Sequence, residues 1–354
     1  QNLLAMPLLP SWIPDAPAFR THDAVAASLR TACADADGRA VWYDIGTSED
    51  GRPLYGIELG TGPQTVSLIA GNHADEPVGP ETLRTFVLQA LARPDEAADL
   101  LERFRFLVVP HTNPDGEQRN RPWIEHWPDL AAFLRHRVRE EPGRDLEFGF
   151  PAMRPENEAV SDFLRAHGPF DLHMSLHGMS ASEGAMLLIN RPWTFRTEAL
   201  QSGFVEAAAD AGLRMHDHNR KGEKGFFWID TGFTTTPRGE AMRRYFHAQN
   251  DSDMAARFHD SSMEFVMALG GDPLCLVTEL PLYVVRNDDP TPGVPDQYLK
   301  LREVLPEVQH RLMHDRPFDD LLAPFNLRPL PLRTAMQLQM EALRLGLATV
   351  ATAD

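Results

Sequence analysis

Thr65-Val66-Ser67-Leu68-Ile69-Ala70-Gly71-Asn72-His73-Ala74-Asp75-Glu76 joins a short run of strand-forming apolar residues to an Asn-His-Ala-Asp-Glu sequence. The run is far below the roughly 20 apolar residues that cross a bilayer and reads as a strand. His73 and Glu76 follow its carboxyl end directly, the place where open α/β sheets bind ligands. If the chain turns tightly after Gly71, imidazole and carboxylate converge on one ion, two of the three protein ligands of a catalytic zinc site. In a chain with 14 His, such a spacing also arises by chance.

On either side of this stretch the periodicity changes repeatedly. Residues 23–36 read as an amphipathic helix; 40–45, 54–59 and 65–70 read as three strands in succession, an antiparallel start. Residues 81–91 then read as a helix and 104–110 (FRFLVVP) as a strand covered on both faces. Helical signals at 156–166 and 195–211 alternate with strand signals at 171–177 and 274–278, and helices are expected at 295–314 and 331–347. Residues 120–155, rich in Pro, Trp and charge, read as a long ordered loop. The fold class is therefore α/β: a single domain with a mixed, mostly parallel-core sheet flanked by helices. The main domain is expected over 1–294, with 295–354 as a helical extension packed on it.

Composition narrows the function classes. The 354 residues, 43% hydrophobic and 24% charged, are globular in composition. The net charge of -17 repels phosphate backbones and anionic lipid alike, so neither nucleic acid nor membrane is expected as a partner. Cys33 and Cys275 form no CxxC pair, which points away from thiolate metal sites and disulfide frameworks. A reducing, cytoplasmic setting is the expectation. The chain opens at Gln1 with no basic stretch and apolar segment, so a signal peptide is expected to be absent or already removed.

Two further strands carry chemistry. Asp171-Leu172-His173-Met174-Ser175-Leu176-His177-Gly178 presents two imidazoles on one face, but ~13 Å apart at ~3.3 Å per residue they cannot share a metal. His177, beside a glycine, is the better third ligand, and His173 reads as a core histidine. Thr278-Glu279-Leu280 caps an apolar run with a lone carboxylate, whose desolvation would raise its pKa toward that of a general base.

Taken in order, these pieces resemble the zinc carboxypeptidases related to carboxypeptidase A. Gly46-Thr47-Ser48-Glu49-Asp50-Gly51-Arg52-Pro53-Leu54 is similar to that family's G-x-S-x-x-G-R-P-L entry, and Ala70 to Glu76 to its metal motif A-G-x-H-x-x-E. Asn113-Pro114-Asp115-Gly116, Pro155-Glu156-Asn157-Glu158, Ser175-Leu176-His177-Gly178 and Val277-Thr278-Glu279-Leu280 follow as its later motifs. The resemblance implies Zn2+ on His73, Glu76 and His177, a water activated by the metal, Glu279 as general base, and a peptide or small amide as substrate. It also implies an arginine for the oxyanion soon after N-P-D-G, for which Arg121 is preferred over Arg119. Tyr245 is a candidate substrate contact, being the tyrosine between His177 and Glu279.

One departure bears on the substrate. Where the family carries Asn-Arg to grip a terminal carboxylate, Asp145-Leu146-Glu147-Phe148 places Glu147 and Phe148. Phe cannot replace a bidentate guanidinium. Either Arg119, Arg144 or Arg154 has taken over, or the substrate presents no carboxylate there, and Glu147 would favour a cationic or amine-bearing substrate. Two other readings stay open: an N-acyl amino acid deacylase of the aspartoacylase and succinylglutamate desuccinylase type, and a catalytically dead binding protein.

Overall fold

The computed structural model describes residues 8–352. Ten strands form one mixed sheet: β1 (Ala40–Thr47), β2 (Pro53–Leu59), β3 (Gln64–Ala70), β4 (Phe104–Val109), β5 (Leu172–Ser182), β6 (Met186–Ile189), β7 (Trp228–Asp230), β8 (Phe233–Thr235), β9 (Leu274–Val284) and β10 (Arg328–Pro329). Their order is β1-β2-β4-β3-β5-β9-β6-β8-β7, with β10 on β9. The parallel centre is β4-β3-β5-β9. Its strands are buried over most of their length because both faces are covered. The helices Val78–Ala92 and Leu332–Ala351 help fill one face. The helix Pro155–His167 contributes Val160, Phe163 and Leu164 to the other.

The antiparallel start stops after two strands. β1 and β2 pair antiparallel, but β4 inserts between β2 and β3, and β3 runs parallel to β4. The helices Val78–Ala92 and Pro94–Arg103 supply the crossover that a parallel pair needs. The expected long loop at 120–155 is also more structured: the helix Pro114–Ile124 runs into it, Leu130–His136 is helical, and Leu146–Phe148 is a 3-10 turn.

β5 and β9 pass the positions where sequence patterning ends them. Register places His177 beside Glu279 and continues to Ser182 beside Val284. The β5 extension is half-polar and so carries no apolar run, while that of β9 is apolar but set beyond Glu279 and broken by Pro281. β3, by contrast, stops at Ala70, level with Leu176. The sheet thus steps down beside His177, leaving room for the loop that carries His73.

The helix Leu332–Ala351 buries Met336, Met340, Leu343 and Leu347 in the main core. Its Gln339 Nε2 donates to the His177 carbonyl and to Thr278 Oγ1, both at 3.3 Å. Gly79 lets the helix Val78–Ala92 press on β5, since a Cβ there would lie 2.6 Å from the Leu176 carbonyl oxygen. Gly79→Ala is therefore expected to lower stability by about 1–3 kcal/mol, read as a lower urea midpoint at constant m. An unchanged midpoint would show that the helix yields freely. Among the described residues, no helix is long and apolar enough to cross a membrane.

Candidate metal centre

After β3 the chain reverses at Gly71, whose φ of +87° lies in the left-handed region that glycine enters without strain. The Thr112 N–H donates to the Ala70 carbonyl at 2.9 Å, and Thr112 Oγ1 donates to Asn72 Oδ1 at 2.7 Å, tying the loops after β3 and β4 together. His73 is thereby set against His177 of β5.

The two imidazoles meet through the same atom type. His73 Nδ1 and His177 Nδ1 are 3.0 Å apart, and each lies 2.8 Å from an oxygen of Glu76. These three donors lie within 4.8 Å of one another. The opposite ring nitrogens are held by carboxylates: His73 Nε2 is 3.2 Å from Asp145 Oδ1, and His177 Nε2 is 2.9 Å from Glu147 Oε2. Two imidazoles oriented by carboxylates and one carboxylate turned inward are the donor set of a divalent transition-metal site. The group fits these residues.

The charges agree. Burial works to raise the Glu76 carboxyl, but His73, Arg139 and His177 hold it well below the usual range. Burial lowers the His177 imidazole, yet Glu76 and Glu147 bring it up to about 9. The cluster thus favours positive charge at the Nδ1 atoms, where a cation would displace protons. Glu279, beside His177 in register, behaves oppositely: burial and then the Glu76 charge push its carboxyl up to about 8. Burial lowers the His173 imidazole to about 4; it bonds Ser67 Oγ at 2.7 Å and belongs to the core.

Two cavities open on this cluster. The smaller, about 290 Å3, is bordered by His73, His177 and Glu279 and walled by Phe148, Leu188, Phe226, Met242, Phe258 and Met263. The larger, about 750 Å3, starts at Glu76, Glu279 and Arg139 and runs along Gly178 to Ala181 toward the helix Asp296–Met313.

Several expected residues lie elsewhere or do other work. Arg119 donates to Glu140 at 2.8 Å, and Arg121 pairs with Glu125 one helical turn on. Neither borders the cavities: Glu140, after the helix Leu130–His136, holds Arg119, and Glu125 holds Arg121. The arginine at the site is Arg139, whose Nη1 donates to Glu76 at 2.6 Å and Asp75 at 2.9 Å. Four arginines fall within residues 137–154, and no spacing singles this one out.

Glu147 is not free for substrate. Its Oε1 accepts from the Ser262 N–H at 2.9 Å and Ser262 Oγ at 2.6 Å, and its Oε2 from Asn72 Nδ2 at 2.5 Å. With its carboxylate already engaged, it orients His177 and does not supply a site for an amine. Phe148 packs edge-on against Phe258, centroids 5.6 Å apart, in the apolar wall. Tyr245 borders the larger cavity. Arg144 pairs with Glu49, and Arg154 is buried on Glu156 at 2.7 Å, so neither supplies the missing grip. His111, the loop histidine before N-P-D-G, sits 3.2 Å from Glu117, outside the cluster. Asp145 had a signal in the sequence, at the head of the segment that departs from the family, but only the fold pairs it with His73.

Residues 25–147 match the family model described as zinc carboxypeptidase, Peptidase_M14. Over these residues the chain is similar to the zinc carboxypeptidases. Carboxypeptidase D of Mus musculus is 27% identical over 146 residues, 38% of this chain and 10% of that protein. Zinc carboxypeptidase A 1 of Anopheles gambiae is 32% identical over 127 residues, 34% of this chain and 28% of that protein. The chain thus spans between a tenth and little more than a quarter of the length of these curated relatives. Among solved structures, a metallo-carboxypeptidase from Burkholderia cenocepacia matches with a TM-score of 0.54 and 18% identity, over 95% of this chain and 70% of the other. Carboxypeptidase A from Helicoverpa armigera matches with a TM-score of 0.53 and 14% identity, over 98% and 79%. At such identities these structures show a shared fold. The family match ends at residue 147, so it includes His73, Glu76 and Asp145 but not His177 or Glu279.

Proposed function

We propose that this protein is a zinc-dependent hydrolase of amide bonds, a carboxypeptidase-like peptidase with an atypical substrate grip. The observation that carries the reading is the convergence of His73 Nδ1, His177 Nδ1 and Glu76, each imidazole oriented by its own carboxylate, beside a general-base candidate. His73, Glu76 and His177 would hold the ion. Zinc bound there supplies a Lewis acid and lowers the pKa of water toward ~7.

The rest is the work of this chain. Glu279, raised to about 8 by burial and then by Glu76, accepts a proton from the attacking water and passes it to the leaving nitrogen. Arg139 borders both cavities and offers a fixed cation to the developing oxyanion. The apolar walls of the smaller cavity receive the side chain of the leaving residue and exclude water. Phe148 in that wall gives no bidentate hold on a carboxylate.

The test is hydrolysis of N-acetylated tripeptides ending in Phe by the zinc-loaded protein, with release of free Phe as readout. Arg139→Ala is expected to keep zinc and lose about 10²–10³-fold in kcat. Cleavage of single N-acyl amino acids with no action on the tripeptides would overturn the peptidase reading in favour of a deacylase.

A further inference from the structure

The chain carries a net charge of -17, yet the larger cavity is bordered by Arg137, Arg139, Arg220, Lys224 and Arg302. Its carboxylates are Glu76 and Glu279 of the metal centre and Glu223. Arg139 holds Asp75 and Glu76 through Nη1 and is already assigned to the oxyanion. Arg220 and Lys224 stand apart because both border the smaller cavity too, and so mark the junction of the two spaces above Glu279.

Arg220 has one loose counter-ion, and Lys224 has none among the described residues. The Arg220 guanidinium lies 3.6 Å from Glu223, beyond hydrogen-bond reach, and 3.9 Å over the Phe226 ring. Among the described residues the Lys224 ammonium forms no ion pair; it lies 4.7 Å from the Tyr245 centroid and 5.3 Å from that of Phe246. Aromatic faces hold a cation in place without neutralising it. Lys224 also sits at φ +55°, unusual for a residue with a Cβ. Burial lowers both groups below their ordinary pKa values, the mark of cations that an incoming anion would stabilise.

We propose that Arg220 and Lys224 form an anion subsite that takes a carboxylate of the substrate, doing from the loop before β7 what position 148 cannot. The inference rests on the peptidase reading for what occupies the site. The carboxylate comes from one of two sources: the terminus of the leaving residue, reaching up from the smaller cavity, or an acidic side chain on the acyl side, lying in the larger one. Either way the substrate is anionic, in contrast to the amine-bearing substrate that Glu147 suggests from sequence.

Three substrates separate the sources: Ac-Gln-Phe with a free terminus, Ac-Gln-Phe-amide, and Ac-Glu-Phe-amide. At least one carboxylate-bearing substrate is expected to exceed the neutral one in kcat/KM by about tenfold or more, the value of a charge-assisted contact. That preference should shrink in high salt. It should vanish in Arg220→Gln/Lys224→Gln, with turnover of the neutral amide unchanged as the control for folding, and persist in Lys224→Arg. Which substrate is preferred names the source. Equal kcat/KM for all three, or a preference that survives the double substitution, overturns the proposal while leaving the peptidase reading intact. Calorimetry on zinc-loaded Glu279→Gln separates the opposite failure. If the wild type cleaves none of the three but the Gln protein binds the anionic ones more tightly, and the added double substitution removes that difference, the subsite stands and the peptidase reading falls.

Discussion

Zinc-loaded Glu279→Gln is expected to keep its metal and lose about 10²–10⁴-fold in kcat. The amide preserves the volume of the side chain beside His177 and cannot accept the proton of the attacking water. Glu279 is not among the three converging donors, so metal content should match the wild type by elemental analysis. The position is built for proton transfer: burial and the neighbouring Glu76 carboxylate raise the Glu279 carboxyl to about 8, while His177, His73 and Arg139 limit the rise. Because the loss is in the chemical step, KM should change little. Turnover within a few-fold of wild type would move the general base to another group.

His73→Ala is expected to reduce both zinc occupancy and turnover to background. His73 supplies one of three donors, and its removal also leaves Asp145, 3.2 Å from the ring, without the group it orients. Glu147→Gln gives a graded contrast. His177 remains, but its orienting carboxylate is gone, and such partners typically account for about 10–100-fold in metal affinity. The two variants should therefore differ in kind, with activity recovering at high zinc in Glu147→Gln and not in His73→Ala. Full occupancy in His73→Ala would refute the ligand assignment.

The reading of local pattern succeeded where chemistry and periodicity coincide. The strand before Gly71, the His and Glu after it, the apolar run ending at Glu279 and the alternation of strand and helix are all visible in one dimension, because each strand is buried on both faces and each motif lies within a few residues. The pattern was blind where an element is half-polar or a partner is distant. β5 continues through half-exposed Gly178 to Ala181, which resemble loop, and β9 continues past the charged Glu279 and through Pro281. β4 enters between β2 and β3 because parallel pairing is made by crossover and not by succession. Sequence distance from N-P-D-G favours Arg119 and Arg121 over Arg139, since it carries no record of which acid each guanidinium reaches.

The sequence by itself determined the chemical inventory and the α/β class: His73, Glu76, His177 and Glu279 are set beside strands by residue type and local spacing. Only the tertiary structure decided roles that depend on through-space partners. It engaged Glu147, an expected substrate contact, with His177, Ser262 and Asn72, paired Asp145 with His73, and left Arg220 with only a loose ion pair to Glu223, and Lys224 with none among the described residues, at the junction of two cavities. The physical reason is range. Hydrophobic periodicity is a property of neighbours along the chain, whereas the fate of a charge is set by burial and by the opposite charge within a few ångströms, contributed at the metal centre by segments about 30 to 100 residues away.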